Sequence, residues 1–356
     1  MTCDRPTLVL TRRDVAQVLD VDSCIAAVED AFRRHRGTTG AGAGARPLAF
    51  DVVGAGWNAS APAPPPTTGV LGIPVPGGGF HIKAAVLSLE RPYFAAKTNA
   101  NFPGNPSRHG LPTIQGVIVL ADAELGTPLA ILDSIEITTL RTGAATAVAA
   151  KYLARSDSHV ATVCGCGVQG RAQLRALARV LPLTRVYAYD LDPARARQFA
   201  EELSPCVGVE VIPSEDLRRA TRASDVCVTC TPSRRAFLGP DDVNPGCFIA
   251  AVGADNEDKQ ELKPALLASS AVVTDVLEQC AKIGDLHHAI AAGLMRSGDV
   301  RAELGEIVRG TKAGRTTARE IVVFDSTGTA IEDVAAAAVA YERAVSRGIG
   351  TPIALG

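Results

Sequence analysis

Residues 159–180 read HVATVCGCGVQGRAQLRALARV, and this stretch decides the fold. The apolar run HVATVC predicts a β-strand, and the apolar residues that follow the glycines recur at helical spacing. Between strand and helix lie three glycines in the pattern Gly-x-Gly-x-x-Gly, at Gly165, Gly167 and Gly170. The order strand, glycine loop, helix predicts a unit whose helix start receives the phosphates of a dinucleotide.

Each glycine of this loop has a physical role. Gly165 permits the tight turn, Gly167 lets the backbone approach a pyrophosphate, and Gly170 lets the helix pack closely on the strand. Val168 and Gln169 open the helix, and their backbone N–H groups are expected to face the phosphates. A glycine turn that binds nothing is the alternative, which the flanking strand and helix disfavour.

A second apolar run, RVYAY, ends at Asp190, 20 residues beyond Gly170. A carboxylate at the end of this strand would hydrogen-bond the ribose hydroxyls of NAD and would repel the additional phosphate of NADP. The sequence therefore predicts a Rossmann-type domain with NAD(H) as its cofactor. Arg195 and Arg197 follow on the next helical segment; they fit exposed surface arginines, but they also keep NADP(H) open.

Length and composition set wider bounds. A chain of 356 residues suggests two domains, and a net charge of -2 disfavours a nucleic-acid partner. No apolar run is long enough to span a membrane and the N-terminus lacks a signal-peptide pattern, so we expect no membrane association and a cytoplasmic location. The nine cysteines are scattered, which favours reduced thiols. His287-His288 is too short for a metal signature, and no metal is assigned.

Helical and strand periods alternate along most of the chain, as in an α/β protein. Arg12 to Arg34 predicts two helices, Phe80 to Leu132 predicts consecutive strands, and an alanine-rich helix is predicted from Thr138. The Pro-rich stretch Gly54 to Gly69 predicts a loop, and the polar run Arg309 to Arg319 predicts a return crossing between domains. Further parallel strands are predicted at Asp225 to Cys230, Cys247 to Val252 and Ala271 to Thr274.

The order of motifs resembles that of the ornithine cyclodeaminase and mu-crystallin family. The resemblance implies a Rossmann-type doubly wound parallel-sheet domain inserted into an α+β substrate and dimerisation domain, and a homodimer. The expected boundaries are 1–137 for the first part of the substrate domain, 138–318 for the dinucleotide domain and 319–356 for the return. The motifs that carry the resemblance are FAAKTNANFPGN, LPTIQG, LRTGAATA, GCGVQG, AVGADNEDKQEL and VFDSTGTAIED.

The resemblance implies a substrate with a carboxylate next to an amine or imine. Arg46 and Arg141 match the family's carboxylate-binding positions, with Lys97 beside them. On spacing alone, Arg141 fits equally well as a solvated arginine at the head of the alanine-rich helix. Lys97 lies in an apolar strand, where a buried amine would have a lowered pKa suited to proton transfer. A strand lysine whose amine reaches solvent is the alternative.

Asp255 follows the apolar run FIAAVGA, at the strand end where open α/β sheets bind ligands. The resemblance implies that Asp255 is the acid that acts on the amine or on the attacking water. A helix N-cap is the alternative role. The resemblance also implies cofactor contacts by four hydroxyl residues, each of which fits equally well as a turn or cap residue. These are Thr113, Thr142, Thr231 and Ser326.

The sequence departs from the cyclodeaminase pattern at one position. Where cyclodeaminases carry a glutamate that binds the distal ammonium of ornithine or lysine, this chain has His81, with Lys83 opposite the methionine that follows. An imidazole there disfavours recognition of a diamine. A strand histidine packed in the sheet is the other interpretation of His81.

The glycine loop and Asp190, together with the chemistry that the resemblance implies, predict an NAD(H)-dependent oxidoreductase of α-amino or α-imino acids, of the alanine dehydrogenase or ketimine reductase kind. A redox-neutral ornithine or lysine cyclodeaminase is the alternative, because it would use the same site. A non-catalytic protein that binds a nucleotide and a small molecule is the third interpretation; Lys97 and Asp255 together disfavour it.

Overall fold

A computed structural model describes residues 6–35 and 68–355, and the chain divides into two compact units. Unit 1 comprises Met1–Arg141 and Thr329–Gly356, and unit 2 comprises Thr142–Gly328. No helix among the described residues is long and apolar enough to cross a membrane.

The elements follow one another in an α/β order. As far as the crossing into unit 2 they are β1 (Thr7–Leu10), α1 (Arg12–Val18), α2 (Val21–Arg34), β2 (Thr68–Val75), β3 (Gly78–Ser88), β4 (Pro92–Asn101), α3 (Asn105–His109), β5 (Ile114–Asp122), β6 (Pro128–Asp133) and α4 (Ser134–Leu153). The rest of unit 2 contains β7 (Val160–Cys164), α5 (Val168–Val180), β8 (Arg185–Tyr189), α6 (Pro193–Val207), β9 (Glu210–Pro213), α7 (Leu217–Arg222), β10 (Val226–Thr229), β11 (Arg234–Leu238), β12 (Phe248–Ala251), β13 (Gln260–Leu262), α8 (Pro264–Ala268), β14 (Ala271–Thr274), α9 (Leu277–Ile283), α10 (Asp285–Ala291), β15 (Ala302–Glu303), α11 (Leu304–Val308) and β16 (Val322–Asp325). The chain returns to unit 1 with α12 (Ala330–Arg347) and β17 (Thr351–Ile353).

Unit 1 is built on a seven-stranded sheet in the order β17-β1-β6-β5-β4-β3-β2. Strands β2 to β6 are consecutive and antiparallel, and β3 to β6 correspond to the consecutive strands predicted from Phe80 to Leu132. The sequence does not predict β2, which begins at Thr68 inside the stretch Gly54 to Gly69 that predicts a loop; residues 54–67 of that stretch lie outside the described residues. Helix α12 packs on β3 and β4 and also contacts α2. We call the sheet face that carries Ala85, Ala95 and Lys97 the inner face; all three side chains are buried.

Unit 2 contains an eight-stranded sheet in the order β15-β14-β16-β12-β10-β7-β8-β9, and every pair in it is parallel. The chain places β8 and β9 on one side of β7 and the later strands on the other. This reversal next to β7 is the topological switch point at which doubly wound sheets bind nucleotides. The predicted α/β class and the Rossmann-type sheet are confirmed.

The second crossing between units lies later than the sequence indicates. We expect the return at residue 319, but β16 pairs with β12 on one side and β14 on the other, inside the sheet of unit 2. The polar run Arg309 to Arg319 is a loop of this same unit, in which Arg315 Nε donates to the carbonyl of Leu153 at 2.8 Å. Polarity alone does not distinguish an internal loop from a crossing between units.

Candidate active site

The glycine loop between β7 and α5 has the geometry of a phosphate cradle. Gly165 adopts a φ of +103°, and a Cβ there would lie 3.0 Å from the carbonyl oxygen of Cys230. At Gly170 a Cβ would approach the carbonyl oxygen of Gly165 to 2.1 Å, so helix and loop require glycine. A Cβ at Gly167 would meet nothing within 4 Å. The second glycine therefore leaves open space at the start of α5, which fits the pyrophosphate of a dinucleotide.

Alanine at the second and third glycine is expected to have different effects. Gly167→Ala keeps the fold, because its backbone is extended and its Cβ meets open space, but raises the Kd for NAD(H) about 10-fold or more by occupying that space. Gly170→Ala lowers the free energy of unfolding by about 1–3 kcal/mol through overlap with the backbone. Thermal melting and cofactor titration of both variants check this pair. Equal melting points would contradict it.

Asp190 follows β8 and links the glycine loop to the loop that leads from β8 to α6. Its Oδ2 accepts from the backbone N–H of Cys166 at 2.9 Å, and its Oδ1 accepts from that of Asp192 at 3.0 Å. Leu191, the next residue, is 91% exposed, and Val168 at the start of α5 is 64% exposed. An acid flanked by exposed apolar side chains suits a ribose together with the apolar faces of an adenine ring.

Two of the predicted hydroxyl contacts are already engaged within unit 2. Thr231, just after β10, donates both its backbone N–H and its hydroxyl to Glu261 Oε1 at 2.7 Å. Ser326 follows β16, is buried and donates its hydroxyl to Asp275 at 3.1 Å. Both residues lie at the carboxyl ends of parallel strands, as a ligand-binding role requires, but their hydroxyls also hold loops in place.

The helix that contains Thr142 begins earlier than the sequence predicts. Helix α4 begins at Ser134 rather than at Thr138, so Thr142 is well inside the helix. Asp133 Oδ1 accepts from the backbone N–H groups of Ile135 and Glu136, at 3.0 Å each, and so satisfies the true helix start. Thr142 therefore does not lie at a helix N-terminus with free N–H groups.

Glu261, on β13, is a buried carboxylate that sequence reasoning missed. Besides Thr231 it accepts the backbone N–H of Gly253, at 2.9 Å, so it joins the loops after β10 and β12. Burial, together with the nearby charge of Asp285, raises the pKa of Glu261 to about 7. Burial likewise raises the pKa of Asp285 to about 6. Nothing in the segment KQEL distinguishes this glutamate from a surface residue.

These raised pKa values predict how stability depends on pH. Between pH 4.5 and about 7 a carboxyl group with a raised folded-state pKa binds more protons in the folded than in the unfolded state. The free energy of unfolding is therefore expected to fall as pH rises through this window, and Glu261→Gln should flatten that dependence. Melting curves from pH 5 to 8 check it, with Glu278→Gln on the surface of α9 as control. An unchanged slope in Glu261→Gln would contradict it.

Lys97, on β4 in unit 1, is buried on the inner face of the sheet, so the interpretation as a solvent-exposed strand lysine is wrong. Its Nζ lies 2.6 Å from Asp333 Oδ2, at the start of α12. Burial lowers the pKa of Lys97 to about 7; Asp333 opposes this shift, while Arg141 and Lys83 add to it. An amine with this pKa exchanges protons readily near neutral pH.

Arg141 is buried rather than solvated. Its Nε lies 3.1 Å from Asp333 Oδ1, and its Nη1 lies 3.0 Å from Glu332 Oε2. Glu332 Oε1 also accepts the backbone N–H and hydroxyl of Thr329, which closes the start of α12. The two acids thus join α4, β4 and α12 in one network within unit 1. Sequence reasoning missed both acids, although the motif TAIED contains them.

The inner face continues along β3 and β4 with further polar groups. Lys83 pairs directly with Lys97, and His81 pairs directly with Asn99. Asn99 Oδ1 accepts the hydroxyl of Ser134 at 2.6 Å. A Cβ at Gly116 on β5 would lie 2.3 Å from Asn99 Oδ1, so the glycine leaves room for the side-chain amide of Asn99. Lys83 and Asn99 were not singled out by sequence reasoning as functional residues.

The other predicted residues stand as follows. Asp255 follows β12 and is exposed, and its Oδ1 lies 2.6 Å from Lys259 Nζ. Thr113 is half-buried just before β5, and its carbonyl accepts the backbone N–H of Phe102 at 2.8 Å. Arg46 lies outside the described residues. Within residues 6–35 and 68–355, no group of three His, Cys, Asp or Glu side chains is arranged to hold a metal ion.

Comparison with known proteins connects this geometry to a family. The alanine dehydrogenase of Archaeoglobus fulgidus is 37% identical over 351 residues, which are 98% of this chain and 98% of that protein. The iminosuccinate reductase of Paracoccus denitrificans is 36% identical over 280 residues, 78% of this chain and 82% of that protein. An archaeal alanine dehydrogenase dimer, solved with bound NAD, superimposes with a TM-score of 0.86 at 36% identity, over 98% of this chain and 99% of its own.

Residues 78–348 match the Ornithine cyclodeaminase/mu-crystallin family, and this range contains Lys97, Arg141, the glycine loop and Asp190. It covers more than half of the chain and parts of both units. The chain belongs to the ornithine cyclodeaminase/mu-crystallin family.

Proposed function

We propose that the chain is an NAD(H)-dependent oxidoreductase of α-amino and α-imino acids. The observation that carries this proposal is the buried ammonium of Lys97, held with Arg141 against Asp333. A buried amine with a pKa near 7, next to a guanidinium, is suited to bind a carboxylate and to exchange a proton with a neighbouring nitrogen. The named activities of the two relatives, dehydrogenation of alanine and reduction of iminosuccinate, support it.

The residues of unit 2 are suited to hold the cofactor. Gly165, Gly167 and Gly170 would receive the pyrophosphate, and Asp190 the ribose hydroxyls. When bound, NAD(H) supplies hydride exchange at the α-carbon of the substrate. We assign the substrate carboxylate to Arg46, Arg141 and Lys97, and proton transfer to Lys97 and Asp255.

A spectrophotometric assay tests the function. The purified protein is incubated with NADH and cyclic imines, or with 2-oxo acids plus ammonium, and in reverse with NAD and amino acids. Stoichiometric change in NADH absorbance is the expected result. A cyclodeaminase would instead convert ornithine or lysine to proline or pipecolate with catalytic NAD and no net NADH. Absence of any turnover across the panel would favour the binding-protein interpretation.

Cofactor choice is expected to depend on Asp190. Asp190→Ser removes the negative charge that repels the additional phosphate of NADP, so the ratio of kcat/KM for NADH over NADPH should fall at least about 10-fold. Initial rates with both cofactors measure this ratio, and Asp192→Ser provides a control two residues away. Better activity with NADPH in the unmutated protein would contradict the role of Asp190.

We also propose a homodimer formed through the outer face of the sheet of unit 1. Five apolar side chains on this face are 38–46% exposed: Ile73, Phe80, Val86, Val117 and Val119. Such a continuous apolar face favours association, and the structurally similar archaeal enzyme is a dimer. Light scattering is expected to give twice the monomer mass. Val117→Asp should weaken the dimer.

We also propose that the protein is located in the cytoplasm. Buried free thiols at Cys24, Cys227 and Cys280 support it, because free cysteines are usual in reducing compartments. Fractionation of the source cells, with the protein detected by antibody, tests the location.

A further inference from the structure

Lys83 and Lys97 face each other on the inner face of unit 1. They are directly paired residues of the antiparallel strands β3 and β4, so their side chains leave the sheet on the same side. The Cβ atoms of such pairs lie about 4.5–5.5 Å apart, and like charges in these positions destabilise a sheet. Two opposed lysines therefore destabilise this strand pair, which favours a functional role for them over a structural one.

Several cations gather around one carboxylate on this face. Lys97 and Arg141 both face Asp333, and Arg141 also binds Glu332. Lys83 contributes positive charge to the same place, since it lowers the pKa of both Lys97 and Asp333. His81, two residues from Lys83 on β3, shares the inner face with it. This part of the face suits an anion and disfavours a second ammonium group.

We propose that Lys83 binds a second carboxylate of the substrate, so that the preferred substrates are 2-imino dicarboxylic acids with a four- or five-carbon chain. This inference rests on the proposed function. The α-carboxylate would bind at Lys97 and Arg141, and the distal carboxylate at Lys83 on the neighbouring strand. In the reduction, the imine carbon receives a hydride from NADH and the nitrogen takes up a proton; NADH becomes NAD and the imine becomes an amine.

The test compares matched substrates in the full-length protein. Oxaloacetate and 2-oxoglutarate, each with ammonium to form the imine, are compared with pyruvate and 2-oxobutyrate under the same conditions. We expect the dicarboxylates to be preferred in kcat/KM. Lys83→Met should lower the dicarboxylate to monocarboxylate ratio about 100-fold, which is about 2.7 kcal/mol of transition-state binding. Lys83→Arg should restore most of the preference, and Lys282→Met, on exposed α9, should leave it unchanged.

A binding measurement makes the inference independent of turnover. In the presence of NAD, calorimetry should show that succinate binds more tightly than butyrate, and that Lys83→Met removes this difference. Preference for monocarboxylates, or an equal loss for both substrate classes in Lys83→Met, would overturn the inference while the oxidoreductase function stands. Absence of turnover with every substrate would overturn the proposed function, and the succinate titration would still decide the role of Lys83.

Discussion

Replacing Lys97 with methionine is expected to lower kcat/KM for the amino or imino acid about 1,000-fold and to leave the Kd for NAD(H) nearly unchanged. The substitution removes a carboxylate-binding cation and a group for proton transfer, and the second of these alone accounts for about 100- to 10,000-fold in enzymes. The glycine loop and Asp190 belong to unit 2, whereas Lys97 lies in unit 1. Steady-state kinetics and cofactor titration measure the two quantities separately.

Two comparisons make the Lys97 prediction specific. Lys282→Met removes an exposed lysine of α9 and is expected to leave kcat/KM within about twofold of the unmutated protein. Melting curves of Lys97→Met show whether lost activity reflects lost fold, since Asp333 keeps Arg141 as its partner. A folded Lys97→Met variant with full activity would refute a catalytic role for this lysine.

Replacing Arg141 with methionine is expected to lower the free energy of unfolding by about 3–5 kcal/mol. The guanidinium joins Glu332 and Asp333 inside unit 1, and its removal takes a buried cation from Glu332 and leaves Asp333 with Lys97. Denaturant titration measures the change. Activity is expected to fall as well, because the same guanidinium is assigned to the substrate carboxylate.

A surface ion pair provides the control for Arg141. Arg12 lies 3.1 Å from Asp133, but half of its side chain is exposed, so Arg12→Met should cost at most about 1 kcal/mol. If both variants lost equally little stability, the buried network of unit 1 would not have the energetic importance inferred here.

The elements that follow local periodicity could be predicted from the sequence. The strand before Gly165, the helix after it and the acid at Asp190 all depend on residues close together in the chain. The sequence does not predict the helix start at Ser134, although aspartate is a common N-cap residue, because the apolar run that ends at Leu132 predicts a strand up to this point. Strand β6 ends at Asp133 and α4 begins at the next residue, so the strand pattern hides the signal for the helix start.

The network around Lys97 could be predicted only in part. Arg141 and Asp333 are 192 residues apart, and no short-range pattern reports such a contact. Glu332 and Asp333 resemble the acids that favour the first turn of any helix, so their burial against cations is invisible in the sequence. Family resemblance pointed to Lys97 and Arg141, but it did not reveal the acids that hold them.

The position of β16 has a consequence for how the chain folds during synthesis. This strand is the last of unit 2, yet it fills a gap between β12 and β14, whose facing edges have no partner until it arrives. Helix α12, which covers the sheet of unit 1, emerges from the ribosome later still. Both units must therefore wait for residues 322–347, and a nascent chain that stalls before Val322 exposes the facing edges of β12 and β14.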